Sequence, residues 1–299
     1  MNAKLKGYLK LMRLANLPTA AADIFAGVAI SSAFFHANIT ELDVTSLLNI
    51  AYLVLASVSL YAGGVVLNDV FDYKLDKVER PERPIPSGLI PLKRAAAFGA
   101  ILLFIGILLA FVVTIISGSI AVILAGTILL YNAFSKNNSI LGPLNMGICR
   151  GLNLLLGISI LGEITNWGYV GIPIIYIAAI TLISRGEVHG DNKKHIIFAG
   201  FLYAFVIISV IGLMVINNLN LLHSIPFLIL FVVLIYKPLL GAYKLNSPEN
   251  IKKAVIGGVL SLIVLDASIA VGFSQWYVGL AILALLPLSK MLSKLFAVT

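Results

Sequence analysis

Long apolar runs, separated by short polar connections, recur along the whole chain of 299 residues. Most of these runs approach the roughly 20 residues that a helix needs to cross ~30 Å of hydrocarbon. The pattern predicts ten membrane-spanning helices, near residues 17–36, 47–67, 95–116, 119–134, 140–161, 170–184, 196–216, 224–240, 254–272 and 276–292.

The composition agrees with this pattern. Hydrophobic residues make up 60% of the chain and charged residues 11%, and the mean hydropathy is +1.03. These values lie far beyond those of an ordinary soluble domain, and no connection is long enough to form one. We therefore expect an all-α fold, a polytopic bundle of 9–10 transmembrane helices.

The positive charges lie on one side of the predicted membrane. With the N-terminus inside, the connections on that side carry the Lys and Arg residues. The opposite loops carry none, around residues 37–46, 117–119, 162–169, 217–223 and 273–275. This is the positive-inside asymmetry, and it predicts a cytoplasmic-membrane protein with both termini in the cytoplasm. It also accounts for the formal charge of +8 without a nucleic-acid partner.

Two acidic clusters lie at the cytoplasmic ends of the second and sixth predicted spans. Residues 68–76 read NDVFDYKLD, and residues 187–191 read EVHGD. The second cluster repeats the polar positions of the first after 119 residues. This offset suggests two related four-helix units, about 47–134 and 170–292, with a binding site at their interface.

Helical spacing ranks the members of each cluster. Three polar residues of the first cluster are successive i, i+4 neighbours on one helix face: Asn68, Asp72 and Asp76. Asp69 is turned by roughly 100° from them. Glu187 and Asp191 make a second i, i+4 pair. Like charges at this spacing repel each other, so we expect a cation between the clusters.

The chemistry of the clusters indicates a metal and a phosphate. Ligands that offer only oxygen favour a hard ion, and Mg²⁺ commonly takes one or two carboxylates together with substrate phosphate oxygens. The basic residues nearby suit phosphate: Arg80, Arg83, Lys136, Lys193 and Lys194. A long isoprenoid diphosphate fits both this charge pattern and an apolar membrane bundle. The alternative is that both clusters are merely solvated loops.

Charged residues also occur inside the predicted spans. Arg150 lies about ten residues into its span, ~15 Å deep at 1.5 Å per residue, where an arginine is costly unless it faces a cavity or a partner. Asp23 is a candidate partner for Arg150; the alternative is a carboxylate hydrogen-bonded to neighbouring helices. For Asp266 the latter reading is the expected one.

The first cluster and the residues after it resemble a known family signature. Residues 68–76, followed by RPERPIPSG at 80–88, resemble the first aspartate-rich motif and the RPxRPIPSG signature of the UbiA superfamily of intramembrane prenyltransferases. RLANLPT at 13–19 is similar to its N-terminal R-x-x-N-x-P segment. Residues 187–191 resemble its second motif, D-x-x-x-D, with Glu in place of the first Asp.

Two further segments extend the resemblance over nearly the whole chain. Tyr131 with Lys136 resembles the Tyr/Lys motif after the fourth helix, with a spacing one residue longer than the common form. Residues 142–157, which include Arg150 and Asn153, resemble the fifth-helix signature. The short loop after Asp191 and the Glu at 187 resemble the divergent EboC-type branch.

The resemblance implies a single domain over residues 1–299, built around a central cavity. It implies Mg²⁺ at Asn68, Asp72 and Asp191, with Asp76 and Glu187 in support. It gives catalytic roles to Asp72, Asp191, Lys136 and Arg150. It gives substrate binding to Arg13, Asn16, Arg80, Arg83, Tyr131, Asn153 and Lys193. The expected reaction moves an isoprenoid group from a prenyl diphosphate to a small hydrophobic or aromatic acceptor.

Two rival functions remain. A binding or transport protein for a lipid-linked or aromatic compound would use the same cavity without chemistry, and the short loop after Asp191 favours it. CDP-alcohol phosphotransferases also carry paired aspartate motifs on membrane helices. They need a D-G-x-x-A-R segment, which residues 60–67, LYAGGVVL, do not provide.

Overall fold

The structure is a computed structural model, and it describes residues 2–31, 43–187 and 190–296. In these ranges the chain forms helices joined by turns and short irregular connections. The thirteen α-helices are α1 Ala3–Leu11, α2 Leu17–Ile30, α3 Val44–Phe71, α4 Tyr73–Glu79, α5 Leu92–Val113, α6 Ile115–Leu130, α7 Leu141–Ile158, α8 Gly171–Ser184, α9 Lys193–Ile216, α10 Leu221–Lys244, α11 Pro248–Gly272, α12 Trp276–Leu283 and α13 Leu285–Phe296.

The predicted spans are present as helices. Nine helical stretches of the described chain are long and apolar enough to cross a membrane, and Leu14–Ile30 is a shorter apolar helical segment. Together they correspond to the ten predicted spans, of which the first runs at residues 32–36 beyond the described part of the chain. The all-α fold class is confirmed. The outer helices expose large apolar side chains, such as Phe104 at 61% and Phe201 at 70%. Exposed apolar side chains on the outer surface are expected for a bundle that is surrounded by the hydrocarbon of a membrane.

The short helix α2 lies in the middle of the bundle. It contacts α3, α7 and α11, and nearly all of its residues are buried. Its closest approach is to α7, where Gly27 meets Gly157. A Cβ built on Gly157 would lie 2.7 Å from the Ile24 carbonyl oxygen and 3.0 Å from Gly27 Cα. Membrane helices approach this closely where both carry small residues.

Two apolar clusters flank α2. One is formed by residues of α2, α3, α5, α6 and α7, and the other mainly by residues of α2 and α7 to α12. Helices α7 and α2 contribute to both, so the two sides share a central layer. That layer carries two buried charged residues, Asp23 and Arg150. The predicted pseudo-repeat stays a prediction.

Candidate active site

The first acidic cluster lies at a joint between two helices. Helix α3 ends at Phe71, and Asp72 separates it from α4 with φ −84° and ψ 3°. Backbone hydrogen bonds still run from Asp72 N to Asn68 O, 2.9 Å, and from Asp76 N to Asp72 O, 2.8 Å. The expected i, i+4 spacing therefore holds across the joint. The three side chains nevertheless have different partners.

Lys136 forms an ion pair with Asp72. Lys136 follows a π-helical turn, Tyr131–Ser135, in which Lys136 N donates to Tyr131 O at 3.1 Å. Such turns hold one residue more than an α-helical turn and are frequent at functional sites. The extra residue between Tyr131 and Lys136 is taken up by this turn, which lets the lysine reach Asp72.

Asp69 and Asp76 are joined through Arg83. The Arg83 guanidinium lies 2.7 Å from Asp76 Oδ2 and 3.4 Å from Asp69 Oδ1, and Arg13 lies 2.9 Å from the same Asp69 oxygen. Both carboxylates are buried: the side chain of Asp69 is 9% exposed and that of Asp76 is 4% exposed. Burial of carboxylates is tolerated when they are paired with cations. Arg13, Asp69, Arg83 and Asp76 form a charge-matched group, which we call the arginine clamp.

The segment after the first cluster is anchored by its apolar residues. Ile85 and Ile90 are buried against Leu11, Val66 and Ala95. Backbone bonds from Ser87 N to Arg83 O, 3.0 Å, and from Ile90 N to Pro84 O, 3.0 Å, fold the segment into successive turns. The anchoring fixes the position from which Arg83 reaches the two carboxylates.

Asn68 is oriented by a second asparagine. Its Nδ2 donates to Asn132 Oδ1 at 2.9 Å, and Asn132 Nδ2 donates to the Gly64 carbonyl at 3.1 Å. The donor side of the Asn68 carboxamide is thereby engaged, so its Oδ1 is left to serve as an acceptor. Asn132 is a positioning residue that the sequence analysis missed, although it adjoins Tyr131.

The expectation that Glu187 and Asp191 share a helix face is wrong. Helix α8 ends at Ser184 and α9 begins at Lys193, so both residues lie in the connection. Gly190 and Asp191 adopt positive φ values of 71° and 50°. A chain that must reverse within so few residues cannot continue the helix. Residues 188–189, which include His189, lie outside the described residues.

Asparagine side chains hold this connection in place. Asn192 is buried, and its Nδ2 donates to the Ile183 carbonyl at 2.8 Å, which caps the end of α8. Asn192 N donates to Asn246 Oδ1 at 2.7 Å. Gly190 has no room for a side chain, because a Cβ would lie 2.7 Å from the Asn246 carbonyl oxygen. The exposed Asp191 is therefore held by its two neighbours.

Two cations act on Glu187 of the second acidic cluster. Burial raises the pKa of Glu187 above its ordinary value, while the charges of Lys252 and Arg80 lower it. Arg80 follows the first cluster directly in the sequence, so a charge from that segment acts on a residue of the second cluster. Lys252, on α11, is a further cation that the sequence analysis did not single out.

A mostly apolar cavity of about 300 Å³ lies next to the first cluster. Residues assigned to the site by sequence form part of its wall: Arg13, Asn68, Tyr131, Arg150 and Asn153. Apolar side chains complete the wall, among them Ile128, Ile177 and Leu262. The volume is at the lower end of ligand pockets.

A polar network forms one part of the cavity wall. Arg150 Nε lies 2.7 Å from Asp23 Oδ2, which confirms the predicted pairing of these two residues. Asn153 Nδ2 donates to Asp23 Oδ2 at 2.7 Å, and Ser57 Oγ donates to Asn153 Oδ1 at 2.7 Å. Arg150 also donates to Thr19. We call Thr19, Asp23, Ser57, Arg150 and Asn153 the polar wall. Ser57 and Thr19 were missed because single hydroxyls in a span carry no distinctive pattern.

Asn16 and Lys193 are two further predicted site residues that do not line the cavity. Asn16 precedes α2, and its carbonyl accepts a hydrogen bond from Thr19 Oγ1 at 2.7 Å. Lys193 begins α9, with its Nζ 5.8 Å from the centre of the Tyr243 ring. Asn16 therefore contacts the polar wall through its backbone carbonyl, which holds the Thr19 hydroxyl.

The donor groups fit a weakly preassembled magnesium site. Within the described ranges no three His, Cys, Asp or Glu side chains converge as a metal cage. Mg²⁺ does not need such a cage, because it keeps several waters and takes one or two carboxylates together with substrate phosphates. The oxygen ligands of Asn68 and Asp72 suit it. Asp76, by contrast, is engaged by Arg83.

Comparison with known proteins identifies the family. The model of the UbiA prenyltransferase family matches residues 28–254. The chain belongs to this family. The predicted membership of the UbiA family is confirmed, and with it a multi-pass membrane protein. The resemblance to the EboC-type branch stays a prediction.

Relatives and solved structures resemble the chain over different lengths. The digeranylgeranylglyceryl phosphate synthase of Methanosarcina mazei is 34% identical over 200 residues, which are 64% of this chain and 66% of that protein. The first curated relatives are matched over about half to two thirds of their lengths. A solved digeranylgeranylglyceryl phosphate synthase structure is 25% identical, with a TM-score of 0.66, over 91% of this chain and 99% of its own.

A third comparison concerns the fold alone. A UbiA homologue from Archaeoglobus fulgidus, solved with GPP and Mg²⁺, has a TM-score of 0.62 at 13% identity, over 87% of this chain and 99% of its own. Divergence in sequence is therefore large while the arrangement of helices is kept.

Proposed function

We propose that this chain is an Mg²⁺-dependent prenyltransferase that moves an isoprenoid group from a prenyl diphosphate to a small acceptor and releases diphosphate. The observation that carries the proposal is a juxtaposition. The Asp72–Lys136 pair, one helical turn from Asn68 on the cavity wall, stands beside an apolar cavity whose wall includes a buried polar network. Charged groups suit the diphosphate, and the cavity suits the apolar reactants.

Asn68, Asp72 and Asp191 are the proposed metal ligands, and Glu187 supports them. Bound Mg²⁺ would neutralise the diphosphate and so stabilise its departure. Asp76 was a supporting ligand in the sequence interpretation; its contact with Arg83 favours a role in holding the clamp instead. Lys136 and Arg80 are the cations available to phosphate oxygens. Arg13 and Arg83 hold the carboxylates of the clamp in place and so position the first acidic cluster.

The proposed reaction breaks one carbon–oxygen bond and forms one new bond. The electron pair of the allylic C–O bond leaves with the diphosphate. A nucleophilic atom of the acceptor then captures the cation-like allylic carbon and loses a proton. The cavity excludes water around the reacting carbon, and Tyr131, Arg150 and Asn153 on its wall position the acceptor. The opening of the site is proposed to face the cytoplasm.

The acceptor class has two candidates. The small cavity, with its buried polar wall, favours a compact acceptor, which includes the aromatic class predicted from sequence. The name of the M. mazei relative favours an isoprenyl glycerophosphate lipid instead. Mass spectrometry of products, formed with each acceptor class offered separately, distinguishes the two.

The test measures diphosphate release by purified protein in lipid nanodiscs. Labelled prenyl diphosphates of several lengths are supplied with Mg²⁺ and acceptor, for wild type, Asp72→Asn and Asp191→Asn. The matched control is Asp43→Asn, at an exposed helix start where Asn still caps α3. We expect release in wild type and the control, and loss in both site variants. Binding without release at every chain length would support the transport alternative and refute the enzyme.

A further inference from the structure

Three charged side chains meet in the interior of the bundle, two acids and one base. Asp23 on α2 is 0% exposed, Asp266 on α11 is 3% exposed, and Arg150 on α7 is 7% exposed. Charged groups at membrane depth are costly unless they are paired. One arginine can neutralise only one of the two carboxylates, so the second needs a separate explanation.

The contacts of Asp23 are concentrated on one oxygen. Arg150 Nε and Asn153 Nδ2 both approach Oδ2, each at 2.7 Å. Asp23 Oδ1 has no hydrogen-bond partner among the described residues, and neither has Asp266 Oδ2. Helices α2 and α11 pack against each other, and the two carboxyl groups interact side chain to side chain across this contact. One oxygen of each carboxyl is therefore unsatisfied.

Three hydroxyl groups near Asp266 already donate hydrogen bonds to backbone carbonyls. Ser261 Oγ donates to Gly257 O at 2.7 Å, Ser268 Oγ donates to Leu265 O at 2.7 Å, and the Tyr176 hydroxyl donates to Gly258 O at 2.8 Å. None of these three is left to satisfy the Asp266 carboxyl. If Asp266 is protonated, its own O–H group can donate a hydrogen bond to Asp23.

We propose that Asp266 is a positioning residue that stays protonated and donates a hydrogen bond to the unpartnered oxygen of Asp23. Two desolvated carboxyls that face each other cannot both ionise without strong repulsion, and a shared proton removes it. The cluster of Asp23, Asp266 and Arg150 is then electrically neutral. Its geometry is fixed from three helices, α2, α7 and α11.

The neutral cluster has a consequence for the ligand of the cavity. Of the five guanidinium N–H groups of an arginine, two donate to Thr19 in Arg150, and the Nε–H is directed at Asp23 in an ion pair without a hydrogen bond. The remaining two can meet a ligand in the cavity. Because the charge of Arg150 is already balanced, we infer that the polar wall takes a neutral oxygen group, such as a hydroxyl or ketone, rather than an anion. This ligand class rests on the proposed function.

The test of the protonation does not depend on enzyme activity. Infrared spectra of the protein in nanodiscs at neutral pH are compared for wild type, Asp266→Asn and Asp43→Asn. We expect the carbonyl band of a protonated carboxylic acid in wild type and in the exposed-site control, and its loss in Asp266→Asn. No such band in wild type, or the same band in Asp266→Asn, overturns the proposal.

Stability and kinetics test the positioning role. Asp266→Asn keeps an N–H donor toward Asp23 and should unfold near the wild-type temperature, whereas Asp266→Leu should unfold at a lower one. With active enzyme, Asp266→Asn should keep the KM for acceptor, and Asp266→Leu should raise it at least tenfold with little change in the KM for prenyl diphosphate. Equal damage in both variants overturns the role. Absence of turnover refutes the proposed function but leaves the infrared result standing.

Discussion

Four polar residues of NDVFDYKLD are divided between two tasks. Asp69 and Asp76 contact arginines of the clamp, whereas Asn68 borders the cavity and Asp72 pairs with Lys136. Helical spacing grouped Asp76 with Asn68 and Asp72, and left Asp69 apart. Spacing along a helix says which residues share a face, but the partner of each side chain comes from elsewhere in the chain.

Asp76 tests this division. Asp76→Asn removes the charge that faces Arg83 in a buried pair, so we expect the free energy of unfolding to fall by about 3 kcal/mol. The measurement is the unfolding temperature in detergent, with Glu79→Gln, a solvent-exposed acid on the same helix, as control. Unchanged stability with a lost Mg²⁺ dependence would instead make Asp76 a metal ligand.

Lys136 forms an ion pair with Asp72, whose carboxylate is a proposed metal ligand. Lys136→Gln removes the proposed charge-assisted contact to phosphate, and such a contact is worth about 1.5–3 kcal/mol. We therefore expect the KM for prenyl diphosphate to rise roughly tenfold to a hundredfold. Lys253→Gln is the control, since its pair with Glu249 is exposed, at 63% and 78%. An unaltered KM in Lys136→Gln would mean that Lys136 does not contact the diphosphate.

At the scale of elements, two irregularities position the site. The π-helical turn Tyr131–Ser135 directs Lys136 toward Asp72, and the glycine contact between α2 and α7 lets Asp23 meet Arg150. Neither feature follows from hydropathy. The turn depends on one extra residue, and the close contact depends on glycines that have no side chain.

The π-helical turn can be tested by a deletion. Removal of Ala133, an exposed residue within it, should restore α-helical spacing and rotate Lys136 by about 100° around the helix axis. We expect diphosphate release to fall as far as it does in Lys136→Gln, while Ala133→Val, at the same position, stays active. A fully active deletion variant would show that the turn does not aim Lys136.

The glycine contact can be tested by adding one methyl group. In Gly157→Ala the new Cβ meets backbone atoms of α2, so the helices must separate, and overpacking of this kind costs about 1–3 kcal/mol. Gly126→Ala is the control, because a Cβ there has nothing within 4 Å. The readout is the unfolding temperature in detergent. Equal stability of the two variants would argue against a tight crossing.

At the scale of the whole molecule, the charge asymmetry predicts the orientation of the bundle. In a Cys149→Ser background, which removes the single native cysteine, Glu163→Cys should react with a membrane-impermeant maleimide added to intact cells. Lys77→Cys should react only after permeabilisation. The reverse pattern would place the site on the outer face and contradict the proposed cytoplasmic opening.

Hydropathy and charge determined the helical class, the spans and the predicted orientation, since bilayer thickness and the positive-inside rule act on local stretches of chain. The motif residues could be named in advance from their spacing and their resemblance to a family signature, and the Asp23–Arg150 pair because buried charges in lipid need partners. Only the tertiary structure decided that Arg83 joins Asp69 to Asp76, that Glu187 and Asp191 lie outside the helices, and that Asp266 interacts with Asp23. These choices depend on side-chain positions in packed helices far apart in sequence, which no local pattern records.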